Sequence, residues 1–232
     1  MKRFLIALSL CVALITPPVF ADGAQKPVLE LFSSQACGNC PKANDNFAQF
    51  AERDDIIALT YPVGYWDYLG WTDTFAQPEF TERQKAYNSA LRRRGPYTPQ
   101  LIFNGVDHCS GARPKKVERK LAELKEPATP AFVEFDGRVA RITGDANTTH
   151  DVWLISYRPG DTIAVPAGGA NKGVEMSHHN LVSDMVRLGG WSGGEIAFDA
   201  ACETACVVLV QAEATGPVAG AAQFETAENA AF

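Results

Sequence analysis

The period of the apolar positions changes several times along the chain, and each change marks an element. Behind the basic start Met1-Lys2-Arg3, residues Phe4 to Ile15 are almost wholly apolar and end in Thr16-Pro17-Pro18-Val19-Phe20-Ala21. That block is too short to span a bilayer, and Val19 and Ala21 suit a small-residue cleavage site. Residues 1–21 are therefore expected to be a signal peptide, cut after Ala21. The apolar run Pro27–Ser33 predicts a buried strand, and Ala43, Phe47, Phe50 and Ala51 recur at helical spacing from Pro41 to Arg53. Ile56–Tyr61 predicts a second buried strand, which completes a βαβ unit with parallel strands. Pro62–Pro78 carries Tyr65, Trp66, Tyr68, Trp71 and Phe75 without a clean period, and reads as an insertion forming a lid or a packed loop. A helix over Glu79–Arg94 follows, with Phe80, Ala86, Ala90 and Leu91 apolar and Gly95-Pro96 as its stop. Then come a strand at Gln100–Phe103, a turn at Asn104-Gly105 and a helix at Lys115–Lys125 with Val117, Leu121 and Leu124 on one face.

From Pro127 onward short alternating runs replace the helical period, which places a boundary near 128. Residues 22–127 then form an α/β domain and 128–232 a smaller, antiparallel β-rich extension. Ala131–Phe135 and Arg138–Thr143 flank the hairpin signal Asp136-Gly137. Further strands are expected at Val152–Tyr157, Thr162–Val165, His179–Leu188, Gly194–Phe198 and Cys206–Ala212, with the Gly- and Ala-rich stretch 165–172 as a mobile loop.

Composition narrows the partners. The 232 residues carry a formal net charge of −6, and the chain is more acidic still once Lys2 and Arg3 leave with the leader. That argues against nucleic acid or an anionic membrane as a main partner. No later stretch approaches the roughly 20 apolar residues of a membrane span. Export to the periplasm or beyond places the cysteines in an oxidising compartment. Cys11 leaves with the leader, so Cys37, Cys40, Cys109, Cys202 and Cys206 remain. Their spacing suggests local disulfides Cys37–Cys40 and Cys202–Cys206, with Cys109 either a buried single thiol or a third redox partner.

The chemistry concentrates in Ala36-Cys37-Gly38-Asn39-Cys40-Pro41. A strand delivers Cys37 to a helix N-terminus, where unpaired N–H groups and the positive end of the dipole favour thiolate. Cys37 is then the exposed nucleophile, and Cys40, one turn in and buried, attacks the mixed disulfide to release substrate. A C-x-x-C also serves as a structural staple or as half of a zinc site. Zinc would need two further ligands, which Cys202 and Cys206 or His178-His179 could offer only across the boundary. Those histidines read as ordinary strand residues, and Arg92-Arg93-Arg94 as the cationic last turn of a helix. Thr98-Pro99, directly before a strand, supplies a second signal, because a proline there often adopts the cis form.

The order β, C-x-x-C, α, β, α, Thr-Pro, β, turn, β, α is that of thioredoxins, and Tyr97-Thr-Pro-Gln-Leu-Ile-Phe-Asn-Gly105 looks like their cis-proline strand and hairpin. The runs Val28-Leu-Glu-Leu-Phe-Ser-Ser-Gln-Ala-Cys-Gly-Asn-Cys-Pro41, Tyr65-Trp-Asp-Tyr-Leu-Gly-Trp71, Phe80-Thr-Glu-Arg-Gln84 and Asn180-Leu-Val-Ser-Asp-Met-Val-Arg-Leu-Gly-Gly-Trp191 are closer to one family. They resemble secreted bacterial thioredoxin-like proteins carrying the domain-of-unknown-function label DUF1223. The resemblance implies a thioredoxin-like fold and a site of Cys37, Cys40, Thr98 and Pro99, with Thr98-Pro99 holding the substrate backbone. Gly38-Asn39 has neither the Gly-Pro of reducing thioredoxins nor the histidine of strong oxidants, so redox direction stays open. Ala36 stands where thioredoxins carry tryptophan, and Trp66 and Trp71 are expected to compensate as a peptide-binding wall or to pack as core. The leading expectation is a thiol–disulfide oxidoreductase acting on protein or peptide thiols and disulfides, with no dissociable cofactor and no resident metal. A metal-handling module for copper or zinc and a non-catalytic interaction protein are the rivals.

Overall fold

The computed structural model describes residues 25–128 and 130–226, and the expected signal peptide lies outside them. The first half runs β1 (Val28–Ser33), α1 (Cys40–Ala51), β2 (Ile57–Pro62), a 3-10 turn at Asp67–Leu69, α2 (Pro78–Ala90), β3 (Gln100–Phe103), β4 (Asp107–Cys109) and α3 (Pro114–Ala122). The second half is all strand: β5 (Phe132–Phe135), β6 (Val139–Thr143), β7 (His150–Ala164), β8 (Met176–Trp191), β9 (Ile196–Asp199), β10 (Ala205–Ala212) and β11 (Val218–Glu225). They form a mixed 8-stranded sheet, ordered β11-β10-β7-β8-β2-β1-β3-β4, and an antiparallel 3-stranded sheet, β5-β6-β9.

Strand alternation sorts the core onto two faces. Leu29, Leu31, Ala58, Leu101 and Phe103 meet Ala43, Phe47 and Phe50 of α1 and Val117 of α3. Val28, Phe32, Leu59, Tyr61 and Ile102 meet Phe80 and Tyr87 of α2 on the other side. Successive side chains of a strand point to opposite faces, so β1 and β2, covered on both, read as mostly apolar runs without alternation. The α2 helix departs from its expected face. Its buried stripe is Phe80, Arg83, Gln84, Tyr87 and Asn88, mostly polar, whereas Ala90 faces solvent. Arg83 is held there by Glu30 of β1, with Nε donating to Oε2 at 2.6 Å and Nη2 to Oε1 at 2.9 Å.

The change of texture near 128 does not separate two sheets. β8 lies parallel to β2, with Thr60 opposite Leu181, and carries β7, β10 and β11 into the sheet begun by β1 to β4. Side chains reinforce that short pairing, Thr60 Oγ1 donating to His179 O at 2.6 Å and Asn180 Nδ2 to Ala58 O at 3.0 Å. The small sheet packs over Val152, Leu154, Trp191, Val208 and Val210. The expected break after Tyr157 is a bulge at Pro159-Gly160, where Gly160 has φ +71°, so β7 and β8 form one long hairpin. Its tip reaches back to Cys37.

Candidate functional site at Cys37 and Cys40

Between β1 and α1 the chain makes two tight turns, Cys37 N–H donating to Ser34 O at 3.1 Å and Cys40 N–H to Cys37 O at 3.0 Å. Helix α1 begins at Cys40, one residue before the expected start, with Pro41 in its first turn where a missing N–H costs nothing. Asn39 caps it without a side-chain bond, which leaves first-turn donors unclaimed. The Asn39 N–H addresses the Cys37 sulfur, and the Cys40 N–H is shared between that sulfur and Cys37 O. Both cysteines are free thiols here, Cys40 0% exposed and Cys37 only 6%, so the expected exposed nucleophile is nearly covered.

The two thiols are displaced in opposite directions. Hydrogen bonding from the Cys40 thiol brings Cys37 down to about 6 against the opposing effect of burial, with the Thr98 hydroxyl and the two backbone N–H groups adding to it. Burial pushes Cys40 well above the ordinary thiol range, and its contact with Cys37 adds to that, since a buried second negative charge beside the first is unfavourable. Ser34 N–H and the Ser33 hydroxyl act weakly the other way.

Thr98 and Pro99 lie beside this pair through a cis peptide bond. Helix α2 braces their loop from behind, with Gln84 Nε2 donating to Tyr97 O and to Gln100 Oε1, both at 2.8 Å, and Asn88 Nδ2 to Gln100 Oε1 at 3.0 Å. Trp66, packed against the cluster of Cys37, Cys40 and Met176, donates its Nε1–H to Thr98 Oγ1 at 2.7 Å. An indole N–H only donates, so it occupies a lone pair of Thr98 and leaves the threonine proton to turn toward Cys37. Trp71 is placed differently: its Nε1 donates to Gln35 Oε1 at 2.8 Å and braces the turn before Cys37. The buried carboxylate of Asp73 also stitches the 62–78 segment to that turn, accepting from Gln35 N–H at 2.7 Å and Phe75 N–H at 3.0 Å, and burial raises its pKa to about 6.

Two further residues come from the β7–β8 tip, and sequence reading missed both. Asn171 Nδ2 donates to Gln35 O at 2.8 Å and to Cys37 O at 2.9 Å, and Met176 shares one buried cluster with the two cysteines. The stretch 165–172, expected to be a mobile loop, is thus fastened onto the C-x-x-C turn. A Cβ on Gly168 would stand 2.5 Å from Gly70 O, so that glycine serves close approach, and only this reading of the Gly-rich signal could have found the contact.

The remaining cysteines and histidines stay away from the pair. Cys109 is a buried free thiol in the core under α1 and α3, raised by burial. Cys202 and Cys206 are bonded to each other beside the small sheet, so neither is available to complete a zinc site at Cys37 and Cys40. His178 is buried edge-on against Phe75 and pushed down to about 4 by burial, and His179 pairs with Asp161. Among the described residues no group of three or more His, Cys, Asp or Glu side chains is placed to hold a metal, and no helix is long and apolar enough to cross a membrane.

The family described as "Protein of unknown function (DUF1223)" matches residues 28–212, on both sides of position 128. The chain belongs to the DUF1223 family. Its fold is similar to the crystal structure of an Agrobacterium tumefaciens protein, at 32% identity and TM-score 0.73, over 88% of this chain and 96% of that one. A more distant likeness joins it to HBP35 of Porphyromonas gingivalis, at 14% identity and TM-score 0.54, over 88% of this chain and 76% of that one. Among curated proteins none matches the chain.

Proposed function

We propose that this DUF1223 protein is an exported thiol–disulfide oxidoreductase of thioredoxin-like architecture that exchanges disulfides with protein or peptide thiols. The observation that carries the reading is geometric: two free thiols within one turn at a strand-to-helix junction, with the cis Thr98-Pro99 bond beside them, and their surroundings favour opposite charge states, bringing Cys37 down to about 6 and pushing Cys40 up. A pair whose environments push its members apart divides into two roles. Cys37, about nine-tenths thiolate at pH 7 by that value, attacks a substrate disulfide and forms a mixed disulfide as the first substrate sulfur leaves. Cys40 then attacks Cys37 Sγ, closing the Cys37–Cys40 bond and releasing the second substrate sulfur. The order β4-β3-β1-β2, helices on both faces and a cis-proline loop against the nucleophile support the thioredoxin-like assignment.

The test is the reduction potential of the pair in the mature chain, with catalysed reduction of a peptide disulfide followed on the same sample. A potential between about −270 and −120 mV together with turnover is expected. A value below about −300 mV without turnover would make the pair a staple. One observation favours a second reading: Met176 adds a third sulfur to the Cys37–Cys40 cluster, and three soft sulfurs suit copper(I). One equivalent of copper that survives dialysis, and is lost in Met176→Leu, would support that reading.

A further inference from the structure

Next to Cys40 two polar side chains are sealed in the core. Ser33, the last residue of β1, and Asn44, four residues after Cys40 and so on the same face of α1, are 0% and 1% exposed. Ser33 Oγ donates to Asn44 Oδ1 at 2.7 Å, and the Ser33 hydroxyl stands beside the Cys40 sulfur. Asn44 Nδ2 has no hydrogen-bond partner although it is buried. An amide N–H left unpaired in a core is costly and calls for a reason.

We propose that Ser33 and Asn44 form a reversible hydrogen-bond chain that serves the resolving cysteine, Ser33 bonding the Cys40 sulfur and Asn44 acting as the positioning residue that sets the direction of the bond. It deepens the disulfide-exchange reading and takes its purpose from it. Here the Cys40 S–H serves Cys37 and the serine proton goes to Asn44 Oδ1; once Cys37 is engaged in the mixed disulfide, the Cys40 S–H is free to donate to Ser33 Oγ with the serine proton still on Asn44. With Cys40 as a thiolate, the serine proton must point at sulfur, and Oγ then needs a donor in place of the acceptor it had. Asn44 holds that donor unused. Its amide is nearly the same shape at both ends, so a half-turn of the group brings Nδ2–H to Ser33 Oγ without repacking. The unpaired atom is then a carbonyl oxygen, which is tolerated in cores better than an N–H.

In the reaction, Cys40 thiolate attacks Cys37 Sγ of the mixed disulfide. The Cys37–substrate S–S bond breaks, the Cys37–Cys40 S–S bond forms, and the departing substrate thiolate ends with the proton that Cys40 gave up. Cys37 and the Tyr65 phenol are titratable neighbours of Cys40, whereas Ser33, Met176 and Trp66 around it are neutral. Beside the fixed Ser34 N–H, the Ser33 hydroxyl is the donor to the Cys40 sulfur that can be turned.

The experiment reads Cys40 directly. In a Cys37→Ala background, the pH midpoint of Cys40 alkylation is followed by mass spectrometry of its peptide, so that buried Cys109 does not interfere. Separately, with Cys37 present and loaded as a mixed disulfide with a small thiol, release of that thiol is timed at pH 7. Ser33→Ala and Asn44→Asp are each expected to raise the midpoint by about one unit and slow release about tenfold. Ser33→Thr, which keeps the hydroxyl, is expected to restore both. Unchanged midpoints in Ser33→Ala and Asn44→Asp would overturn the proposal, and so would loss of both properties in Ser33→Thr, which would mark a packing role. Faster release in Asn44→Asp would overturn it too, because an acceptor-only carboxylate can hold the serine proton but cannot return a donor. A raised midpoint in a protein that never forms the mixed disulfide upholds the chain and fails the exchange reading instead.

Discussion

Replacing Trp66 by Phe keeps a ring against the cluster of Cys37, Cys40 and Met176 and removes the single indole N–H that Thr98 Oγ1 accepts at 2.7 Å. Replacing Thr98 by Val keeps the branched shape and removes the hydroxyl. A hydrogen bond to an ionised group contributes about 1.5–3 kcal/mol, which corresponds to about 1–2 pKa units. Thr98→Val should therefore move Cys37 from about 6 to about 7–8. Trp66→Phe leaves the hydroxyl in place but frees it to turn away, and should recover about half of that shift. The double variant should titrate no higher than Thr98→Val alone, because Trp66 acts on the thiolate through Thr98. The assay is ultraviolet absorbance of the thiolate against pH in the reduced protein, checked by the pH profile of Cys37 alkylation. A higher Cys37 pKa also weakens the reduced form, so the potential should become about 30 mV more negative per unit. Wild-type midpoints in both single variants would refute the relay. Additive shifts in the double variant would refute the claim that it runs through Thr98.

Asn171→Ala removes the donor shared by Gln35 O and Cys37 O, and should cost about 1–3 kcal/mol in urea unfolding while speeding Cys37 alkylation; alkylation at the wild-type rate would show that the hairpin tip does not shield the site. Stability of the reduced protein should rise between pH 6 and 9, by up to about 1.4 kcal/mol per pH unit. In that window the unfolded chain holds the proton that native Cys37, about 6 against an ordinary 9.0, has already lost. Above pH 9 the sign reverses, because native Cys40 keeps a proton that the unfolded chain releases, and Cys37→Ala should lose most of the rise across the lower window. Arg83→Ala strands the buried carboxylate of Glu30 and should cost about 3–5 kcal/mol, whereas Arg83→Met with Glu30→Leu should recover most of it; equal losses in the single and double variants would count against a desolvated ion pair.

Much of the first half was legible along the chain. Strands β1, β2 and β3 are mostly apolar runs, buried throughout because both faces are covered, and α1 and α3 carry apolar stripes at helical spacing. Asn104 and Gly105 both take positive φ, as an Asn-Gly turn requires. Helix α2 was legible as an element but not in its buried face, because Arg83, Gln84 and Asn88 are buried as partners of Glu30, Tyr97 and Gln100, and no hydrophobicity pattern marks a polar group that finds its partner in space. The division near 128 was real in texture and absent from the large sheet, since β8 joins β2 through pairings 119 and 122 residues apart.

Local sequence determined the cysteine pair, its strand-to-helix setting and the Thr98-Pro99 loop, because backbone turns, helix starts and proline restrictions act over a few residues. The tertiary structure alone decided what surrounds the sulfurs. Trp66 was singled out as a possible wall, and only folding turned its N–H onto Thr98. Asn171 and Met176 lie more than a hundred residues from Cys37 in sequence, in a stretch whose glycines signal freedom and close approach equally well, and only the long β7–β8 hairpin selects the second. The ionisation of a thiol depends on the donors and the burial within a few ångströms of it, and which side chains occupy that shell is a property of the packed chain.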